Sequence, residues 1–160
     1  MTRMGEFGIP NELHQMTDST TYERLRLGTS SCGDPPRVLH VEDDQEFSAA
    51  VKRRLEAHGV AVVRAFDGRD GILQSQKYAT DAVLLDFEMP NANGDEVLMT
   101  LRANEGTKRI PVIVLTCRND HQLRQRMASL GASAYLTKPF EFDELREQLA
   151  RYINILPRPS

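Results

Sequence analysis

Residues 82–90 read Ala-Val-Leu-Leu-Asp-Phe-Glu-Met-Pro, and the fold turns on them. Four apolar residues in a row leave neither face of a strand polar, so a strand here is covered on both sides, as parallel strands packed between helices are. The run then stops at the carboxylate of Asp86, and Pro90 cannot donate to a continuing ladder. Residues 38–41, 60–66, 111–116 and 132–137 are further short apolar, β-branched runs, and with residues 82–87 they predict five strands. Between them Phe47, Ala50, Val51 and Leu55 fall at helical spacing. So do Val97, Leu98 and Leu101, then Leu123, Met127 and Leu130, then Phe142, Leu145, Leu149 and Ile153, with a weaker helix over 68–76. These patterns predict one helix over 119–130 and another over 142–155. Five strand-helix units in alternation imply an α/β fold with a doubly wound parallel sheet, since parallel neighbours need crossover helices.

Outside this pattern residues 1–34 show no sustained period. Gly5, Gly8, Pro10, Gly28 and Gly33 interrupt them, leaving short helical turns near 11–16 and 22–27 at most. They read as a flexible N-terminal extension, residues 35–156 as the domain and residues 157–160 as a C-terminal tail. The 160 residues suit one domain, with 27% charged and 40% hydrophobic residues. A net charge of −3, with Lys52, Arg53, Arg54, Arg124 and Arg126 scattered among acids, argues against a nucleic-acid surface. No apolar run approaches the roughly 20 residues of a membrane span and no secretory leader is visible, so a cytoplasmic location is expected, without membrane or nucleic-acid partners. Cys32 and Cys117 have no metal-type spacing and read as thiols.

In an open parallel sheet, ligands bind beyond the carboxyl ends of the strands, where strand order reverses. The first predicted strand ends in Glu42, Asp43 and Asp44, and the third in Asp86 with Glu88 two residues on. Each acid alone reads as a solvated cap, but carboxylates gathered at two adjoining strand ends repel one another unless a cation sits among them. A hard, oxygen-seeking ion that also binds phosphate, Mg²⁺, suits them. The fourth strand ends in Thr116 and the fifth in Lys138-Pro139-Phe140. A carboxylate nucleophile, a metal, a hydroxyl and an ammonium at one edge form a set for phosphoryl transfer.

Taken in order, Val38-Leu39-His40-Val41-Glu42-Asp43-Asp44, Leu84-Leu85-Asp86-Phe87-Glu88-Met89-Pro90 with Gly94, Val114-Leu115-Thr116 and Ala134-Tyr135-Leu136-Thr137-Lys138-Pro139-Phe140 resemble the response-regulator receiver family of two-component signalling. The resemblance covers residues 37–155, and the intervals between Asp43, Asp86, Thr116 and Lys138 match those of the family. It implies a five-stranded sheet of flavodoxin-like topology. It makes Asp86 the phosphoryl acceptor, Asp43 a direct Mg²⁺ ligand, Glu42 its partner through water, and the Glu88 backbone carbonyl a further ligand. Thr116 and Lys138 would meet the phosphoryl group, Tyr135 would change rotamer with Thr116, and Lys138-Pro139 is a candidate cis bond. Without the resemblance Tyr135 reads as an ordinary half-buried strand aromatic.

Glu88 and Arg118 flank the acceptor, and an acid and a base there are expected to pair across the mouth of the site. Cys117, where the family often has Ala, remains small. The implied partners are a histidine kinase or histidine phosphotransfer protein as donor and a protein as target. A homodimer through the face of the fourth helix, fifth strand and fifth helix is also implied. As no effector domain follows Ser160, output is expected through protein binding or onward phosphotransfer, and the chain is expected not to be an enzyme beyond its own phosphorylation and dephosphorylation. A flavodoxin-like cofactor binder would need Gly, Ser or Thr in the first strand-helix turn, where this chain has Glu42, Asp43 and Asp44. A haloacid-dehalogenase-like phosphatase would use an acid two residues after its nucleophile; Glu88 stands there but precedes Met-Pro. A docking domain that works without phosphorylation is a third reading, and nothing in the sequence favours it.

Overall fold

In the computed structural model, residues 33–89 and 92–157 are described, so the predicted extension lies almost wholly outside them. Five strands, β1 (Arg37–Val41), β2 (Ala61–Ala65), β3 (Ala82–Asp86), β4 (Val112–Thr116) and β5 (Ala134–Thr137), alternate with five helices. The helices are α1 (Gln45–Glu56), α2 (Gly68–Lys77), α3 (Gly94–Ala103), α4 (His121–Ser129) and α5 (Phe142–Ala150). All pairings in the sheet are parallel, in the order β2-β1-β3-β4-β5, as the unbroken apolar runs require. Every residue of β3 and of β4 is buried.

Alternate residues of each strand serve two cores. Val38, Leu84, Ile113 and Leu115 pack against Val51 and Leu55 of α1 and Leu145 and Leu149 of α5. Leu39, Val41, Val83, Leu85 and Val114 meet Val97, Leu98 and Leu101 of α3 and Leu123 and Met127 of α4. Each such side chain contributes about 1.5–3 kcal/mol by leaving water. Three helices begin where a carboxylate accepts from a backbone N–H three residues on: Asp44 from Phe47 (3.0 Å), Asp67 from Asp70 (2.7 Å) and Asp120 from Leu123 (2.8 Å). No helix among the described residues is long and apolar enough to cross a membrane.

The elements differ from the predicted ones at their ends. α4 is shorter than 119–130 at both ends, with Asp120 as its N-cap and Leu130 as its C-cap. α5 stops at Ala150 instead of running to 155, although Ile153 stays buried. Beyond it the chain runs back to the turn after α1, where the Leu156 N–H donates to the His58 carbonyl (3.0 Å) and His58 Nδ1 lies 3.0 Å from the Leu156 carbonyl. A two-residue antiparallel pairing of Glu88–Met89 with Ala92–Asn93, absent from the sequence reading, follows β3.

Candidate functional site

Register brings the site together. Val41 lies opposite Leu85 across β1 and β3, so Glu42 and Asp86 lie at neighbouring ends where strand order reverses. Asp86 lies opposite Leu115, so Thr116 projects one residue beyond it, and the Lys138 N–H donates to the Thr116 carbonyl (2.7 Å). The Lys138-Pro139 bond is cis. Gly94 keeps the next turn close: a β-carbon there would come within 2.6 Å of the Phe87 ring, directly after Asp86.

Glu42, Asp43 and Asp86 each present a carboxylate oxygen, all within 4.8 Å of one another. Glu42 and Asp86 are buried and Asp43 is exposed. Lys138 Nζ lies 2.7 Å from Glu42 Oε2 and 3.6 Å from Asp86 Oδ1, with the Phe47 ring 4.6 Å beneath it. Burial pushes the Glu42 carboxyl up to about 7; the Lys138 hydrogen bond pulls it down and the Asp86 charge pushes it up. Burial disfavours charge on Lys138 too, but its bond to Glu42 and the nearby Asp86 raise it above the usual lysine value. Three hard oxygen donors this close, one held protonation-prone by burial, form a set that a small divalent cation fits. Asp44, the third acid of the first turn, caps α1 instead.

The opposite side is organised by Glu88. Its Oε1 accepts from the Thr116 hydroxyl (2.5 Å), its Oε2 accepts from the Cys117 N–H (2.8 Å), and its own N–H donates to Asp86 Oδ1 (3.2 Å). Burial works against its charge, but these bonds outweigh it and hold the Glu88 carboxyl below the usual range. Among the described residues the expected ion pair of the Glu88 and Arg118 side chains is not found. Arg118 turns its guanidinium to Asp120 (2.9 Å), two residues away, which also caps α4. The Arg118 N–H donates to Thr116 Oγ1 (3.0 Å), and the Tyr135 hydroxyl donates to the Arg118 carbonyl. Tyr135, stacked under Arg124 at 4.9 Å, lines a surface cavity of about 600 Å³ with Lys138 and Glu144. Sequence reasoning assigned Glu88 through its backbone carbonyl and missed its side chain's bonds to Thr116 and Cys117.

Residues 38–150 match the family described as the response regulator receiver domain. The phosphate regulon transcriptional regulatory protein PhoB of Rhizobium meliloti is 34% identical over 110 residues, covering 69% of this chain and 48% of that protein. The chain thus spans about half the length of that relative. The chemotaxis protein CheY4 of Vibrio cholerae superposes with a TM-score of 0.71 at 29% identity, over 74% of this chain and 99% of that one. The receiver domain of sensor histidine kinase PA1611 from Pseudomonas aeruginosa PAO1, solved with a magnesium ion in its active site cleft, superposes with a TM-score of 0.68 at 29% identity, over 74% and 97%. Five parallel strands in the order β2-β1-β3-β4-β5, with acids, a hydroxyl and a lysine at their ends, agree with these likenesses, and the chain belongs to the response regulator receiver domain family of two-component signalling.

Proposed function

We propose that Asp86 accepts a phosphoryl group from the phosphohistidine of a histidine kinase or histidine phosphotransfer protein, and that the chain works as a cytoplasmic switch or relay whose receiver unit spans 35–156, between segments 1–34 and 157–160. The observation that carries this reading is the placing of the Asp86 carboxylate, buried at the sheet's reversal point within 4.8 Å of two other acids and 3.6 Å from Lys138 Nζ. An Asp86 oxygen attacks phosphorus; a P–O bond forms as the donor's P–N bond breaks, and the imidazole nitrogen keeps the electron pair and takes a proton from solvent. Lys138, held by Glu42, sits where a transferred group would add negative charge. The side chains of Glu42, Asp43 and Asp86 and the backbone carbonyl of Glu88 would hold Mg²⁺. When bound, Mg²⁺ supplies the charge that lets an anionic donor approach this acid cluster.

The phosphoryl group brings about two negative charges and three strong acceptors to the end of β3. Thr116 turns toward it, the Arg118 segment follows, and Tyr135 is freed to turn inward, changing the face of α4, β5 and α5 that a downstream protein or a second copy would read. Reduction with borohydride converts an aspartyl phosphate to homoserine. After treatment with acetyl phosphate and Mg²⁺, peptide mapping is expected to find homoserine in place of Asp86; finding it elsewhere, or nowhere, would overturn the assignment.

A further inference from the structure

We propose that the Glu88 carboxylate is an internal anion that occupies the phosphoryl-binding donors of the resting chain and must release them before the site takes a phosphoryl group. The inference rests on the reading of Asp86 as acceptor and of Thr116 as a phosphoryl-binding group. Its first support is geometric. The two oxygens of one planar group engage two donors at the end of β4, the Thr116 hydroxyl at 2.5 Å and the Cys117 N–H at 2.8 Å, as two oxygens of a phosphoryl group would. The Glu88 backbone meanwhile donates to Asp86 Oδ1, so the same residue touches the acceptor and fills the donors.

Its second support is stoichiometric. A hydroxyl has one proton to donate, and Thr116 Oγ1 already accepts from the Arg118 N–H, which leaves its proton for a single partner. The Cys117 amide likewise has one proton. Each is spent on Glu88, so Glu88 and a phosphoryl oxygen exclude one another at these positions. Glu88 itself is exposed, and its side chain has solvent to swing into. Its departure also frees the segment from Cys117 to Arg118, on which the Tyr135 hydroxyl hangs, so that one displacement links the site to the output face.

The test is a double-mutant cycle read by the affinity of beryllofluoride, a phosphoryl mimic, with saturating Mg²⁺. The chains compared are wild type, Glu88→Ala, Glu88→Gln, Thr116→Ala and Glu88→Ala with Thr116→Ala. Glu88→Ala is expected to tighten binding about three- to tenfold, the scale of a charge-assisted hydrogen bond weakened by solvent exposure. Glu88→Gln keeps one acceptor oxygen and is expected to fall between. The gain from removing Glu88 should shrink when Thr116 is already Ala, because one of the two contested donors is gone and only the Cys117 N–H remains. Equal affinities in wild type and both Glu88 variants would overturn the proposal. So would a gain undiminished in the Thr116→Ala background, which would make Glu88 a diffuse charge. Beryllofluoride binding to none of the chains would overturn the reading of Asp86 itself, and the proposal with it.

Discussion

On the β1 side of Asp86 carboxylates are crowded, whereas on the β4 side one carboxylate is fully served. Glu42, Asp43 and Asp86 gather within 4.8 Å of one another against the ammonium of Lys138, while Glu88 holds a hydroxyl and a backbone N–H with its two oxygens. The resting site is therefore short of positive charge on one side and already filled by an anion on the other. A cation relieves the first condition and a phosphoryl group replaces the anion in the second, so each half calls for a different component of the same reaction.

The largest effect is expected where the crowded half loses its exposed acid. Asp43→Ala should weaken Mg²⁺ binding tenfold or more and slow phosphorylation with it, since the donor and Asp86 then repel without a cation between them. A Mg²⁺ titration followed by amide shifts checks this, and unchanged affinity would place the metal elsewhere. Next comes the served half. Thr116→Ala should still be phosphorylated at Asp86, but the amide shifts across 119–155 that beryllofluoride induces in wild type should largely vanish. Equal shifts in both proteins would separate Thr116 from the output face.

Asp86→Asn should raise the thermal midpoint of the Mg²⁺-free chain by a few degrees, because one of the crowded charges is gone while Lys138 keeps Glu42. A fall in the midpoint would mean that Lys138 and Asp86 attract more than the acids repel. A pH-dependent effect concerns His40, buried beneath this half with its ring packed against Phe47 and no hydrogen-bond partner for either ring nitrogen among the described residues. Burial first, then the charges of Lys138 and Arg64, hold it down at about 3. The unfolded chain thus binds the proton more readily, and wild type loses stability as pH falls below about 6.5, by up to about 1.4 kcal/mol per pH unit. His40→Leu lacks that loss, so its advantage in denaturant midpoint should grow from pH 7 to pH 5; an advantage independent of pH would remove His40 as the cause.

The two halves also differ in how far the sequence disclosed them. Asp43, Asp86 and Lys138 were legible because parallel strands written as unbroken apolar runs show where they end, and a strand end places its next residue at the sheet's edge. The bonds of Glu88 were not, since they depend on the pairing of Glu88–Met89 with Ala92–Asn93, and so short a pairing carries no periodicity to read. Arg118 was misassigned for a related reason: Asp120 lies two residues away and is fixed as the α4 cap, so it captures the guanidinium before anything across the mouth. The end of α5 was read too late because Ile153 continues the apolar spacing from a segment that has already left the helix.

The most direct test is the intact mass of the chain after incubation with acetyl phosphate, with Mg²⁺ and with the ion chelated, for wild type and Asp86→Asn. Wild type with Mg²⁺ should gain the mass of one phosphoryl group, lost again in base, while chelated wild type and the Asn variant stay unchanged. The same gain in the Asn variant, or its absence from wild type with Mg²⁺, would contradict the placing of phosphoryl transfer at Asp86.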